Sequence, residues 1–284
     1  MPLTGGESPI SRKALGRWPN APLALVVAQV RFVPQVQTEP YLAAERIQQA
    51  TKSEYPHLNP LQPISVVIGK GQPLLMPQPM ETTEFELRNT ENSEVIKMQR
   101  DGLTFMTSAY QDSSHFLDQW RVFMAALCED RELRVLRLGV RYVDFIIPSA
   151  GHVPEDYFRD GLGRSPAILG EQSPVSFTLY DFPRPNGGQL RIQYRRGFGP
   201  PTLPPDLQDS VLPPGGLTTR SPRGLSAVLD MDRWRIFNES ISTDTIIRGF
   251  SELRSDMAIV FQGLMTELAE MEWKNPSSEE AYLC

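Results

Sequence analysis

Four arginines on two predicted strands are the side chains in this chain best suited to bind a ligand. They are Arg137 and Arg141 on one strand and Arg191 and Arg195 on another. Because side chains alternate along a strand, residues four positions apart point to one face. If both pairs share a sheet face, they form a groove for phosphate, carboxylate or an acidic partner. The alternative is an ordinary solvated face, with arginines paired to Glu84 and Glu86.

Two carboxylates near a strand end suggest a second chemistry, the binding of a metal ion. Asp230 and Asp232 are two positions apart, so their side chains lie on one face of the strand. A hard divalent cation favours such a pair but needs further oxygen ligands, and the sequence does not identify them. The alternative is that both carboxylates bond to backbone groups or arginines. His57, His115 and His152 lack the spacing of helical metal ligands.

Two further patterns carry weaker signals. Gly69-Lys70-Gly71 lacks the spacing and the Lys-Ser/Thr pair of a phosphate-binding P-loop, so a plain turn is favoured. The segment 112–118 contains residue types that serve in acid–base or nucleophilic catalysis: Asp112, Ser114, His115 and Asp118. The same types mark an ordinary helix N-terminus, which is the favoured interpretation. We therefore predict no catalytic residue and no cofactor.

Composition places the chain among soluble globular proteins. It has 284 residues, 40% of them apolar and 22% charged, and a formal net charge of −6. This charge does not favour nucleic acid or an anionic membrane, and no aromatic residue alternates with the arginines on their own face, as single-stranded nucleic acid would require. No apolar run suits a signal peptide or a membrane-spanning helix, so we expect a cytoplasmic protein. Cys128 and Cys284 cannot build a disulfide framework or a cysteine-based zinc site.

A near-repeated strand predicts the architecture. Val30-Arg31-Phe32-Val33 and Val140-Arg141-Tyr142-Val143 lie 110 positions apart (141 − 31), and each begins a succession of strand, helix, several strands and helix. We predict an α+β fold of two similar halves whose antiparallel sheets share one core. The predicted parts are a flexible N-terminal tail at 1–20, a first half at 21–130, a second half at 131–273 and a C-terminal tail at 274–284.

Local signals predict the ends of individual elements. Asp101-Gly102 separates two strands and predicts a hairpin with a type I′ turn, since this dipeptide adopts the positive φ angles that the turn requires. Ser113 and Ser114 predict the cap of a helix that ends near Cys128. Pro63 to Ile68 predicts a short strand.

The second half contains one long predicted helix and one long predicted loop. The helix begins after Ser242 and runs towards Trp273, with apolar residues recurring at helical spacing. The segment 197–224 is rich in Pro and Gly, which disfavours regular structure. We predict that it is either disordered or a flap.

Several landmarks resemble those of a family of sporadically distributed, conserved hypothetical bacterial proteins. They are the opening 21–32, Arg100-Asp101-Gly102-Leu103, the helix with Phe116, the strand Leu136–Asp144, Asp156-Tyr157-Phe158, Leu229–Asp232 and the final helix. The similarity runs from about residue 20 over nearly the whole chain, although Met265-Thr266-Glu267 stands where members often have Ile-Thr-Asp. The resemblance implies a bacterial, cytoplasmic protein without an established activity, and it assigns no site residue.

The residues favour a binding or protein-interaction module over an enzyme. In this hypothesis the four arginines engage an acidic protein or a phosphorylated small ligand, and Arg141→Glu abolishes binding while the fold stays intact. The alternative is a divalent-metal-dependent enzyme acting on a phosphorylated or nucleotide-like ligand, with Asp230 and Asp232 holding the cation. A regulatory component whose neighbour carries the activity is not distinguished from the first hypothesis by sequence.

Overall fold

The computed structural model describes residues 18–51, 53–61, 84–129, 131–159, 162–164, 173–184, 187–208 and 224–274. Within these ranges the chain forms nine β-strands and four α-helices. The strands are β1 (Leu23–Phe32), β2 (His57–Leu61), β3 (Glu84–Arg88), β4 (Glu94–Gln99), β5 (Gly102–Thr107), β6 (Leu133–Ile146), β7 (Ser176–Arg184), β8 (Gly188–Phe198) and β9 (Leu225–Ile241). The helices are α1 (Pro40–Ala50), α2 (Ser113–Cys128), α3 (Thr243–Leu264) and α4 (Glu267–Lys274).

Four predicted features fall wholly or mostly outside the described residues. They are the N-terminal tail up to residue 17, the strand at Pro63 to Ile68, the turn at Gly69-Lys70-Gly71 and the C-terminal tail from residue 275. These stay predictions.

All nine strands belong to one antiparallel sheet, in the order β2-β3-β4-β5-β1-β6-β9-β8-β7. At its centre β1 pairs with β5 on one side and with β6 on the other. The predicted α+β class with antiparallel pairing is therefore confirmed. The separate sheets predicted for two halves are instead one continuous sheet, because β1 and β6 pair along most of their length.

The helices cover one face of this sheet. Buried apolar residues of all four helices belong to a single core with residues from both ends of the sheet. Trp120 on α2 packs against Phe250 on α3, with ring centroids 4.3 Å apart. Burial of these large aromatic side chains fixes the positions of α2 and α3 over the sheet. None of the described helices is both long and apolar enough to cross a membrane.

The hairpin between β4 and β5 forms as predicted, but with a different turn. Gln99 pairs with Gly102, so the two turn residues are Arg100-Asp101, and neither has a positive φ angle. A type I′ turn requires positive φ at both turn positions, so that prediction was wrong. A Cβ atom on Gly102 would lie 3.0 Å from Cδ of Arg31 and 3.1 Å from the carbonyl oxygen of Val30. The glycine therefore makes room for Arg31, which forms an ion pair with Asp101.

Two helix ends also differ from the prediction. The cap of α2 is Asp112 rather than Ser113 or Ser114, since its carboxylate accepts a hydrogen bond from the backbone N–H of His115 at 2.9 Å. The final helix is broken into α3 and α4 because Met265 adopts an extended conformation and pairs in a β-bridge with Phe158.

The Pro- and Gly-rich segment packs partly onto the sheet face opposite the helices, here called the open face. Strand β8 extends to Phe198, and the N–H of Gly199 donates to the carbonyl of Gly224 at 3.0 Å. Leu207 is buried in a second apolar cluster with Val143 and other residues of the open face. Residues 199–208 thus lie against the open face, while 209–223 fall outside the described residues.

Candidate anion-binding site

A row of alternating charge crosses the open face. Arg141 on β6 pairs in register with Asp232 on β9, and Asp232 pairs with Arg191 on β8. Arg191 in turn pairs with Asp181 on the edge strand β7. Directly opposed residues of antiparallel strands lie on the same face. The row therefore brings one arginine from each predicted pair onto a single surface.

The other predicted site residues lie on the same face. Arg137 and Arg195 are each four positions from a member of the row, and Asp230 is two positions from Asp232, so strand alternation puts all three on the open face. The acids Glu84 and Glu86 are not the partners of these arginines. Glu84 accepts from Gln99 at 2.8 Å, and Glu86 forms an ion pair with Arg88.

Arg141 is the most firmly held of the four arginines. Its Nε and Nη2 each donate to one carboxylate oxygen of Asp230 at 2.7 Å, and Nη2 also donates to Asp206 at 3.2 Å. The side chain of Asp230 is 2% exposed. Burial lowers the pKa of Arg141, but the hydrogen bonds to both aspartates outweigh it and raise that pKa. Arg141 is therefore a member of a structural ion-pair network, and Arg141→Glu would put a third carboxylate beside Asp230 and Asp206 and remove the guanidinium that pairs with both.

Arg191 and Arg137 flank an aromatic ring. Arg191 donates to both oxygens of Asp181 at 2.9 and 3.0 Å. Arg137 lies 3.5 Å from the Asp232 carboxylate, and its guanidinium stacks over Trp234 at 4.8 Å from the ring centroid. The guanidinium of Arg191 is 5.9 Å from the same centroid. An aromatic residue does therefore lie among the arginines on their own face, contrary to the prediction, because the neighbouring strand β9 supplies it.

Arg195 and Asp232 are the charged groups with the fewest contacts. Within the described ranges Arg195 forms no ion pair and donates to the carbonyl of Thr202 at 3.2 Å. The one ion pair of Asp232 in the same part of the chain is that with Arg137. Burial raises the pKa of the Asp232 carboxyl above its ordinary value, against the effect of the nearby arginines. Arg195 is thus the pocket arginine that is available to an added partner.

These side chains line a cavity of about 420 Å³ on the open face. Strands β6, β8 and β9 contribute Arg141, Arg191, Gln193, Arg195 and Asp232, and the irregular segment contributes Pro204, Pro205 and Asp206. The carboxylate of Asp206 already binds Arg141, which lowers the pKa of that carboxyl. The cavity therefore has the size of a small-molecule pocket, and two of its arginines, Arg141 and Arg191, bind carboxylates.

The geometry offers little support for a metal ion at Asp230 and Asp232. Both carboxylate oxygens of Asp230 accept hydrogen bonds from Arg141, so a cation would have to displace that guanidinium. Among the described residues no group of three or more His, Cys, Asp or Glu side chains could hold a metal ion. The metal site stays a prediction.

Three contributors to the site were missed from the sequence. Asp181 lies on β7 and Trp234 on β9, and their place beside the arginines depends on the register between strands. Asp206 belongs to an irregular segment in which alternation gives no orientation. A signal was present only for Trp234, which is two positions from Asp232 and so shares its face.

Comparison of the chain with protein-family models, with curated proteins and with solved structures found no match in any of the three. The resemblance to a family of conserved hypothetical bacterial proteins therefore stays a prediction.

Proposed function

We propose that the protein is a binding module whose open-face pocket takes a small anionic ligand, such as a phosphorylated small molecule. The observation that carries this proposal is that Arg141, Arg191 and Arg195 line one cavity, in which Arg195 forms no ion pair within the described ranges. A guanidinium group binds phosphate or carboxylate oxygens through parallel N–H donors, which makes arginine well suited to this recognition.

The shape of the site favours a small ligand over an acidic protein. The segment Pro204–Asp206 borders the arginines, so the charged groups lie in a concavity rather than on a broad surface. Protein partners bind across wide patches, whereas small molecules bind in clefts of a few hundred cubic ångströms. An acidic protein is therefore the less favoured ligand.

We expect Arg195→Gln to weaken the binding of inorganic phosphate and pyrophosphate by roughly ten- to a hundredfold, the effect of losing a charge-assisted hydrogen bond. Isothermal titration calorimetry of both anions with the wild type and the variant measures this change. The thermal midpoint should stay the same, because no ion pair within the described ranges depends on Arg195.

The matched control is Arg134→Gln. Arg134 is an exposed residue of β6 outside the pocket and contacts Asn238 at 3.4 Å, so the variant removes the same charge without touching the cavity. Equal losses of anion affinity in the two variants would mean that anion binding depends only on the net charge of the protein, and this would overturn the proposal. Native mass spectrometry of gently purified protein separates the ligands: a small added mass supports the pocket, whereas a bound acidic polypeptide contradicts it.

We also propose that the chain derives from an internal duplication. From β1 the first half runs outward as β5, β4, β3 and β2, and from β6 the second half runs outward as β9, β8 and β7. Gln29 pairs with Gly139, and these residues are 110 positions apart (139 − 29), the same offset as the near-repeat. A two-fold axis through this pair would superpose Arg31 on Arg141. In relatives of the chain we expect the two halves to resemble each other at this offset of 110 positions. If the halves of relatives showed no such similarity, a duplication would be contradicted.

A further inference from the structure

A second cavity, of about 320 Å³, lies on the helical side of the sheet. It is bordered by the chain before β1, the start of α2 and the second half of α3. Its walls include Trp18, Tyr110, Tyr142, Asp144, Arg254 and Phe261. Asp144 and Arg141 are three positions apart on β6, so their side chains point to opposite faces of the sheet. The second cavity is therefore separate from the arginine pocket.

Asp144 is a buried carboxyl group that the fold does not fully satisfy. The residue is 3% exposed, and its Oδ2 has no hydrogen-bond partner among the described residues. Within the described ranges it forms no ion pair. Burial, with a smaller contribution from Asp230, raises the pKa of the Asp144 carboxyl to about 8. Because an unpartnered buried carboxyl costs free energy, a ligand that supplies the missing partner would bind favourably at this point.

The other walls favour a cation as that partner. Four aromatic rings line the cavity, with Trp18 and Phe261 5.8 Å apart and Tyr110 and Tyr142 6.2 Å apart between centroids. Aromatic ring faces attract cations. A second carboxylate, that of Asp112, also lies at the cavity.

Arg254 is the one basic residue among the cavity's described lining residues, and its charge disfavours a cation placed next to it. Burial raises the pKa of both Tyr110 and Tyr142, while the Arg254 guanidinium acts in the opposite direction on both. Arg254 therefore interacts with the two tyrosines, and it forms no ion pair with Asp144. The carboxyl of Asp144 can therefore pair with a ligand.

We propose that this cavity binds a small organic cation, an amine or amidine, whose N–H groups pair with the Asp144 carboxylate while the aromatic walls cover its apolar part. A cavity of this volume holds a ligand of about the size of a substituted aromatic ring. This site is independent of the anion-binding pocket, so either proposal can fail without the other.

Benzamidine and its neutral isostere benzamide test the proposal in isothermal titration calorimetry with the whole protein. The two molecules differ mainly in charge, so we expect benzamidine to bind at least tenfold more tightly than benzamide, which cannot form the ion pair. Asp144→Asn should abolish this preference. The matched control Asp118→Asn changes an exposed carboxylate on α2 and should leave benzamidine binding unchanged.

A second readout needs no variant. Because Asp144 is mostly protonated at neutral pH, a cation that binds its carboxylate must displace a proton. The heat of benzamidine binding, compared in cacodylate and HEPES buffers, should reveal close to one proton released per ligand at about pH 7. The affinity should rise about tenfold per pH unit up to about pH 8 and then level off.

The proton can be assigned to Asp144 among the groups that face it. Those groups are Arg254 from α3, Asp112 at the start of α2, and Tyr110 and Tyr142, while Asp230 acts on Asp144 from the opposite face of the sheet. Raised pKa values keep both tyrosines protonated in this range. Loss of proton release in Asp144→Asn identifies its source directly.

Three results would overturn the proposal. They are equal affinities for benzamidine and benzamide, unchanged benzamidine binding by folded Asp144→Asn, and binding of benzoate in preference to benzamidine. The last result would assign the cavity to an anion held by Arg254. If Asp144→Asn does not fold, the isostere comparison and the proton release of the wild type still decide the matter.

Discussion

Replacing Asp144 by Asn should stabilise the protein, by an amount that grows from near zero at about pH 4 to roughly 3–5 kcal/mol at pH 8. Burial raises the pKa of the Asp144 carboxyl from 3.8 to about 8. Between these values the folded protein keeps a proton that the unfolded chain has lost, so the wild type becomes less stable as the pH rises. The Asn side chain does not titrate, and the variant escapes this loss. Urea unfolding at several pH values measures the difference.

The control for this prediction is Asp118→Asn, which changes a carboxylate whose side chain is 66% exposed. This substitution should change the free energy of unfolding by no more than about 0.5 kcal/mol at every pH, as expected for a surface position. A wild type that is more stable than Asp144→Asn at pH 8 would mean that the folded chain already stabilises the Asp144 carboxylate. The proposed cation site would then lose its physical basis.

The parts of the fold that sequence predicts well are those specified by local pattern. The long apolar strands around Arg31 and Arg141 and the hairpin between β4 and β5 are confirmed because alternation acts within a few positions, although the type of turn was predicted wrongly. The break between α3 and α4 was not predictable in this way. It depends on the β-bridge between Met265 and Phe158, residues more than a hundred positions apart.

The candidate site likewise depends partly on local sequence pattern and partly on contacts between residues far apart in the chain. Alternation alone gives each arginine pair its face, but only the register of β6, β9 and β8 makes Arg141, Asp232 and Arg191 neighbours. The pairing of Asp206 with Arg141 depends on how an irregular segment packs against the sheet. The cavity at Asp144 likewise requires the start of α2, α3 and the chain before β1 to meet.

Arg141→Met should destabilise the protein by about 3–5 kcal/mol, the cost of leaving one member of a buried ion pair without its partner. The carboxylate of Asp230, which is 2% exposed, loses both of its hydrogen bonds to the guanidinium. Asp206 loses its contact with Arg141 as well, so the segment 199–208 should also exchange its amide hydrogens faster. Chemical denaturation and hydrogen exchange measure these two effects.

Adding Asp230→Leu to Arg141→Met should recover most of the lost stability. The buried carboxylate is then absent, and an apolar pair of similar volume often replaces a buried ion pair at little cost. The double-mutant cycle separates the interaction between Arg141 and Asp230 from the contribution of each side chain alone. A double variant as unstable as Arg141→Met would show that the ion pair is not the cause.

Arg191→Met is the matched control on the same face, and it should cost less than about 1 kcal/mol. Its partner Asp181 is 34% exposed and stays hydrated when the guanidinium is removed. If Arg141→Met lost as little stability as Arg191→Met, Arg141 would not be part of a structural network and would instead be one of the ligand-binding arginines. The expected difference in stability means that Arg141 stabilises the pocket, whereas Arg191 and Arg195 bind the anion.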